Sequence, residues 1–233
     1  MKALKSAGIA MMLLASVALA TQDGVILKYT PKKGEVLKLR IKGNLQIMGT
    51  DVVANLVSQS TVKEVAEDGS YTVEDKQLGG TASLGGQEME IPETPGNTVV
   101  HNADGTVKEI RGDDIGPEAY RVAALNAWNF PKTAIKVGSK WNEESKADTN
   151  KGTVALKKDF EVVAEETVDG VDTLVIKSKV AEASGAEPAS IEGKIWISKA
   201  DSQLVKAEQK WSNVPMAGAP GPITGSFVIT REK

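Results

Sequence analysis

Between Val36 and Met48, Leu37, Leu39, Ile41, Leu45 and Ile47 alternate with Lys38, Arg40, Lys42, Asn44 and Gln46. Successive side chains of a strand point to opposite faces, so this period of two makes one greasy face and one wet face. One-sided alternation favours an antiparallel sheet with a solvated side over a parallel sheet buried on both. Gly43 falls on the apolar face, where it would mark a bulge or a sharp bend in a curved sheet.

The same period continues downstream, punctuated by turn signals at Pro31–Gly34, Gly49–Asp51, Asp68-Gly69, Asp104-Gly105 and Asp169-Gly170. Gly, Asp and Asn tolerate the positive φ of tight hairpin turns. The spacing predicts hairpins of Val52–Val65 with Tyr71–Leu78, Thr98–His101 with Thr106–Arg111, and Val154–Ala164 with Val171–Val180. A further pair, Ile191–Ser198 with Leu204–Trp211, turns at Lys199–Ser202, and Ile223–Thr230 is the last strand. Only Pro117–Trp128 reads as a helix: it is rich in helix formers and opens on a proline, with Asp113 and Asp114 near its positive end. Ala119, Val122, Leu125 and Trp128 give it a stripe to lay on the sheet, and Pro131 stops it. The segments 79–97 and 212–222, rich in Gly and Pro, read as loops.

The expected fold is therefore mainly β, with a minor α+β element: a curved antiparallel sheet or half-open β-barrel with one central helix. The stretch Val62–Gly69 resembles Val162–Gly170, and a glycine precedes each (Gly34, Gly138). This suggests repeat units over 25–112 and 132–233, joined by helix 117–128 within a single β-rich domain, 21–233.

The first twenty residues carry an address. Lys2 and Lys5 precede an apolar run, Ala7–Leu19, and Ala18-Leu19-Ala20 supplies small residues where a signal peptidase cuts. A signal peptide over 1–20 implies export to the periplasm or beyond as a soluble protein, with no later stretch apolar enough to span a membrane. Its removal leaves 31 acidic residues against 26 of the 28 basic ones. That mildly acidic balance argues against nucleic acid as a partner.

Composition then narrows the chemistry. There is no Cys and only one His, His101, so disulfides, thiolate chemistry and multi-His metal sites are excluded. Ser60–Lys63 matches SxxK on a strand rather than at a helix start, and Ser83 lacks a nucleophile elbow. Acidic pairs at Asp113-Asp114, Glu143-Glu144 and Glu165-Glu166 lack calcium-loop spacing. Arg111-Gly112-Asp113 is too short a match to carry weight. No catalytic, cofactor or metal residue is assigned. Ile195-Trp196-Ile197 is apolar on both parities, so that strand should bury both faces, one against the helix and the other against a core or cavity.

Two segments carry a resemblance. Gly193-Lys194-Ile195-Trp196-Ile197-Ser198 followed by Gln203–Glu208 resembles the hairpin of periplasmic lipoprotein carriers and related envelope lipid carriers. Phe130-Pro131 followed by Val137-Gly138-Ser139-Lys140-Trp141 is similar to a segment of uncharacterised secreted bacterial β proteins. The resemblance implies a half-open barrel whose greasy concave face, plugged by a helix, carries lipid. Ser198 replaces the usual acidic residue. The expectation is a non-enzymatic envelope protein binding a hydrophobic small molecule, lipid or lipidated protein. Its candidate ligand-binding residues are Leu37, Leu39, Ile41, Leu45, Ile47, Trp141 and Trp196. The alternative is a structural or protein-interaction module without a small ligand; a carboxylate-only hydrolase ranks third. An apolar inner cavity larger than about 300 Å³ would favour the first.

Overall fold

In a computed structural model of the chain, described over residues 24–113, 115–216, 219 and 221–233, twelve antiparallel strands form one open, curved sheet. The predicted signal peptide, 1–20, lies outside the described residues. In chain order the elements are β1 (Val36–Ile47), β2 (Thr50–Val65), β3 (Tyr71–Leu84), β4 (Gln87–Ile91), β5 (Asn97–His101) and β6 (Val107–Arg111). Then come α1 (Pro117–Asn126), β7 (Lys140–Ser145), β8 (Leu156–Val168), β9 (Val171–Glu182), β10 (Ser190–Ser198), β11 (Leu204–Val214) and β12 (Ile223–Arg231). Across the sheet the order is β6-β5-β3-β2-β1-β12-β11-β10-β9-β8-β7, with β4 paired to β3 beside this path.

The hairpin reading holds in outline because the turn chemistry is local. Met48 and Gly49 (φ 49° and 78°) join β1 to β2, and Asp169 and Gly170 (51° and 83°) join β8 to β9. Positive φ at both central residues suits the right-handed twist of the flanking strands. Gly85 and Gly86 make a third such turn, which corrects the reading of 79–97 as a loop. Residues Gly80–Leu84 continue β3 and pair with β4 instead. Likewise β11 runs on to Val214, and β7, absent from the expected strands, pairs with β8 from Lys140↔Glu161 to Ser145↔Leu156. Gly43 marks no bulge: the register passes through it unshifted, to Ala54 on one side and Phe227 on the other. A Cβ there would lie 3.0 Å from the Phe227 ring, so the glycine makes room for an aromatic on the next strand.

The helix ends at Asn126, two residues earlier than expected, where Ala127 turns to an extended conformation. Its cap residue is Gly116, without a side-chain bond, and Glu118 is the acid in its first turn. Leu125 is wholly buried, with Val122 and Trp128 packed beside it. Two contacts tie this region to the β6 edge of the sheet. The Ile110 amide donates to the Tyr120 hydroxyl, and Lys151 Nζ donates to the Val107 carbonyl.

The segment before β1 also crosses the fold. Val25 bridges Ile135, the Lys28 amide donates to Ser202 Oγ, and Tyr29 meets Tyr71 edge to face. The two similar sequence stretches make the same backbone bonds. Gly34 N–H donates to Val62 O while Val62 N–H donates to Glu35 O; Gly138 and Ser139 repeat this with Val162. A register shift follows each valine, at Val62/Glu64 and at Val162/Ala164.

Candidate functional site

The ladders define the two faces of the sheet residue by residue. One row runs Leu56, Ile41, Ile229, Ala207, Ile195, Ile176 and Val162 across seven strands, from β2 to β8. Every member is apolar, as alternation on each strand requires. Burial along the row is uneven. Ala207, Ile195, Ile176 and Val162 are at 0% exposure, whereas Ile229, Ile41 and Leu56 are only half-buried.

The cover over the C-terminal strands explains the sealed end. Leu125 of α1, Ile135 and Leu27 join the same apolar cluster, with Trp128 and Phe130 packed against it. Polar groups under this cover are partnered. Arg121 Nε and Nη2 donate to the two oxygens of Glu182, each at 2.9 Å, and Glu182 also accepts the Ala189 amide. Lys158 Nζ donates to the Ala127 carbonyl at the end of the helix, where a cation is favourable. Burial holds its ammonium below the ordinary value, opposed by nearby Glu143. Burial lifts the Glu143 carboxyl, opposed by Lys158 and Asn129. Among the described residues the exception is Gln209, 3% exposed, whose Oε1 accepts the Trp211 indole while its Nε2 has no partner.

The N-terminal strands carry a different surface on the same face. Leu37 pairs with Ser60, which pairs with Asp75; Leu39 pairs with Ser58, which pairs with Gln77. All six are half-buried. An apolar strip therefore adjoins a polar band. Ser60 Oγ donates to Asp75 Oδ1. Burial raises the Asp75 carboxyl above its ordinary value, opposed by the Ser60 bond and by His101. His101 stacks on Tyr71 at 4.7 Å and places Nδ1 3.1 Å from the Gly105 carbonyl. Burial pushes the Tyr71 phenol up to about 12.

The structure brings Leu37, Leu39, Ile41, Leu45 and Ile47 onto one face of β1, but only Leu45 is fully buried there. Trp141 is on the same face at the far edge. Its ring stacks on Phe160 at 5.0 Å and meets Phe130 edge-on, and its indole donates to Asn129 O. Trp196 is on the opposite face. Its ladder partners are Lys206 and Val175, its indole donates to Glu166 Oε2, and Lys206 Nζ stands 4.6 Å over the ring. The strand β10 is indeed buried on both sides, yet the helix side belongs to Ile195 and Ile197 rather than to Trp196. Asp75, Lys158 and Gln209 escaped the sequence reading. Lys158 and Gln209 each interrupt a parity otherwise held by apolar neighbours, and that interruption is the signal; Asp75 follows Val73 on its face but precedes the polar Gln77.

The described residues include the linings of two open depressions. One, of about 410 Å³, lies between Glu118, Arg121, Asn213, Met216 and Pro222. The other, of about 570 Å³, is lined mainly by the wet face around Asn44, Asp51, Lys210 and Ser226. Neither is lined by Leu37, Leu39 or Ile41. The SxxK residues diverge, Ser60 to Asp75 and Lys63 to Glu74. Among the described residues no group of three His, Asp or Glu could hold a metal ion, and no helix is long and apolar enough to cross a membrane.

No family model and no curated protein matches the chain. Among solved structures, it is similar to a hypothetical exported protein with a YmcC-like fold from Bacteroides fragilis, at 13% identity and TM-score 0.37, over 90% of this chain and 100% of that one. A hypothetical lipoprotein from Parabacteroides distasonis aligns at 13% identity and TM-score 0.35, over 91% and 99%. The hypothetical lipoprotein YmcC from Escherichia coli aligns at 15% and 0.30, over 84% and 86%.

Proposed function

We propose that the chain is an exported envelope protein that binds a hydrophobic ligand, a lipid or a lipidated partner, on the N-terminal part of its concave sheet face, without catalysing a reaction. The observation that carries this reading is the unequal cover of one continuous apolar row. Ile195 and Ile176 are sealed, while Ile41 and Leu56 on the same row stay half-open beside Leu37 and Leu39. Apolar surface left accessible next to a built core is where an apolar ligand gains most from leaving water. Native mass spectrometry of protein prepared from a bacterial envelope tests it. Bound apolar mass, lost on solvent extraction, is the expected result. Repeatedly ligand-free protein that also ignores apolar dyes overturns the reading.

A second reading has its own observation. The ends of the β1–β2 and β3–β4 hairpins expose Met48 at 76%, Met89 at 48% and Leu84 at 42%. Such a rim suits a protein partner. Capture of one stoichiometric protein, unaffected by lipid extraction, favours this alternative.

A further inference from the structure

Among the described residues the Asp75 side chain makes a single hydrogen bond, accepted from Ser60, while its backbone pairs with Ser60 and Asn97 in the sheet. It sits on β3, on the face of the apolar strip, reached from Leu37 through Ser60 along the ladder. Ser58 and Gln77 extend the polar band by one rung. No lysine or arginine forms an ion pair with Asp75 among the described residues. Its basic neighbour in effect is His101, whose ring is stacked on Tyr71 with Nδ1 at the Gly105 carbonyl. Arg231 shares the face, opposite Leu39, but is held by Asp201 and the Leu204 carbonyl. The nearby acids on neighbouring strands, Glu74 and Glu64, belong to the other face, where Glu74 pairs with Lys63. The result is a half-buried carboxyl without a cation, at one end of an open apolar strip.

We infer that Asp75 anchors the head group of an amphipathic ligand bearing a protonated amine, with its hydrocarbon along Leu37, Leu39, Ile41 and Leu56. An ammonium supplies the opposite charge and the hydrogen-bond donors that the carboxylate lacks, and a partly desolvated site strengthens both. A carboxylate head group would meet like charge. This inference rests on the proposed ligand-binding reading and names its ligand class.

Dodecylamine, dodecanol and dodecanoate, titrated calorimetrically into the purified protein, separate the two ideas. Dodecylamine should bind about tenfold more tightly than dodecanol, and dodecanoate most weakly, since roughly 1.4 kcal/mol is a factor of ten. Asp75→Asn keeps the size and the Ser60 contact and should bring the amine to within about twofold of the alcohol. The same collapse with Asp75→Leu, in a variant whose circular dichroism matches the parent, guards against a local defect of one substitution. Equal affinities of amine and alcohol in the parent, or an amine preference that survives Asp75→Asn, overturn the Asp75 assignment while leaving ligand binding intact. No binding of any of the three overturns the ligand reading itself.

Discussion

The β8–β11 part of the helix-covered sheet face and the β1–β3 part of the same face are written in the same code and finished differently. Ile195 and Ile41 stand in one row, two strands intervening, on the same face of the sheet. Over Ile195 lies a helix fixed by Leu125 and a crossing segment fixed by Leu27 and Ile135. Over Ile41 there is partial cover and a polar band beside it. Alternation decides which side a residue faces; only a distant part of the chain decides whether that side is dry.

The sharpest way to break this contrast is to shave equivalent isoleucines. Ile195→Ala should cost about 2–5 kcal/mol in denaturant unfolding, because a wholly buried site leaves a cavity. Ile41→Ala should cost only about 1 kcal/mol, since half-exposed apolar area gains less on folding, and it should weaken apolar-dye binding. Equal losses would dissolve the distinction between the two regions.

Next in size is the ion pair under the cover. Arg121→Met leaves Glu182, whose side chain is 2% exposed, with only the Ala189 amide as partner. Arg121 is itself 29% exposed, so solvent screening reduces the loss to about 2–3 kcal/mol from the figure for a fully buried pair. Two glycines on one ladder row come after it. A Cβ on Gly193 would lie 1.9 Å from the Glu208 carbonyl, against backbone that cannot yield. Gly193→Ala should therefore cost about 1–3 kcal/mol, and Gly43→Ala less, because the Phe227 ring can turn aside.

The smallest effect is electrostatic. With its folded-state carboxyl raised, Asp75 binds its proton more readily in the folded chain than in the unfolded one. Stability then falls as pH climbs from the ordinary carboxylate value through the raised one. Asp75→Asn should be more stable than the parent at neutral pH, and that advantage should vanish below the ordinary value. Thermal melts across this window check the sign.

The strand faces, the helix and most hairpins were legible because alternation, Pro117 and the Asp-Gly turns act within a few residues. The β3–β4 hairpin was hidden by Gly79, Gly80, Gly85 and Gly86, whose density reads as a loop although Gly85 and Gly86 alone make the turn. The candidate site was legible only in part. Leu37 to Ile47 announced their face, but the cover over Ile195 comes from Leu27 and Leu125, far away in sequence, and nothing local to Trp196 tells which side of β10 the helix takes. Asp75 was readable in principle, as the acid between Val73 and Gln77 on the inward parity.

The seam between β1 and β12 has a consequence for how the molecule is made. The strands β1–β6 and β7–β11 form separate runs of neighbouring hairpins, and only β12 lies between them. A chain emerging from its start can assemble the first run early, since each hairpin closes a short loop. It then waits, with the open edge of β1 exposed, until Ile223–Arg231 is released, because Leu39↔Arg231 through Gln46↔Thr224 is the bond line that unites the halves. Completion of the sheet is thus governed by β12, which follows the other eleven strands in the chain, and the interval before it is when an unpaired edge most invites pairing with another chain.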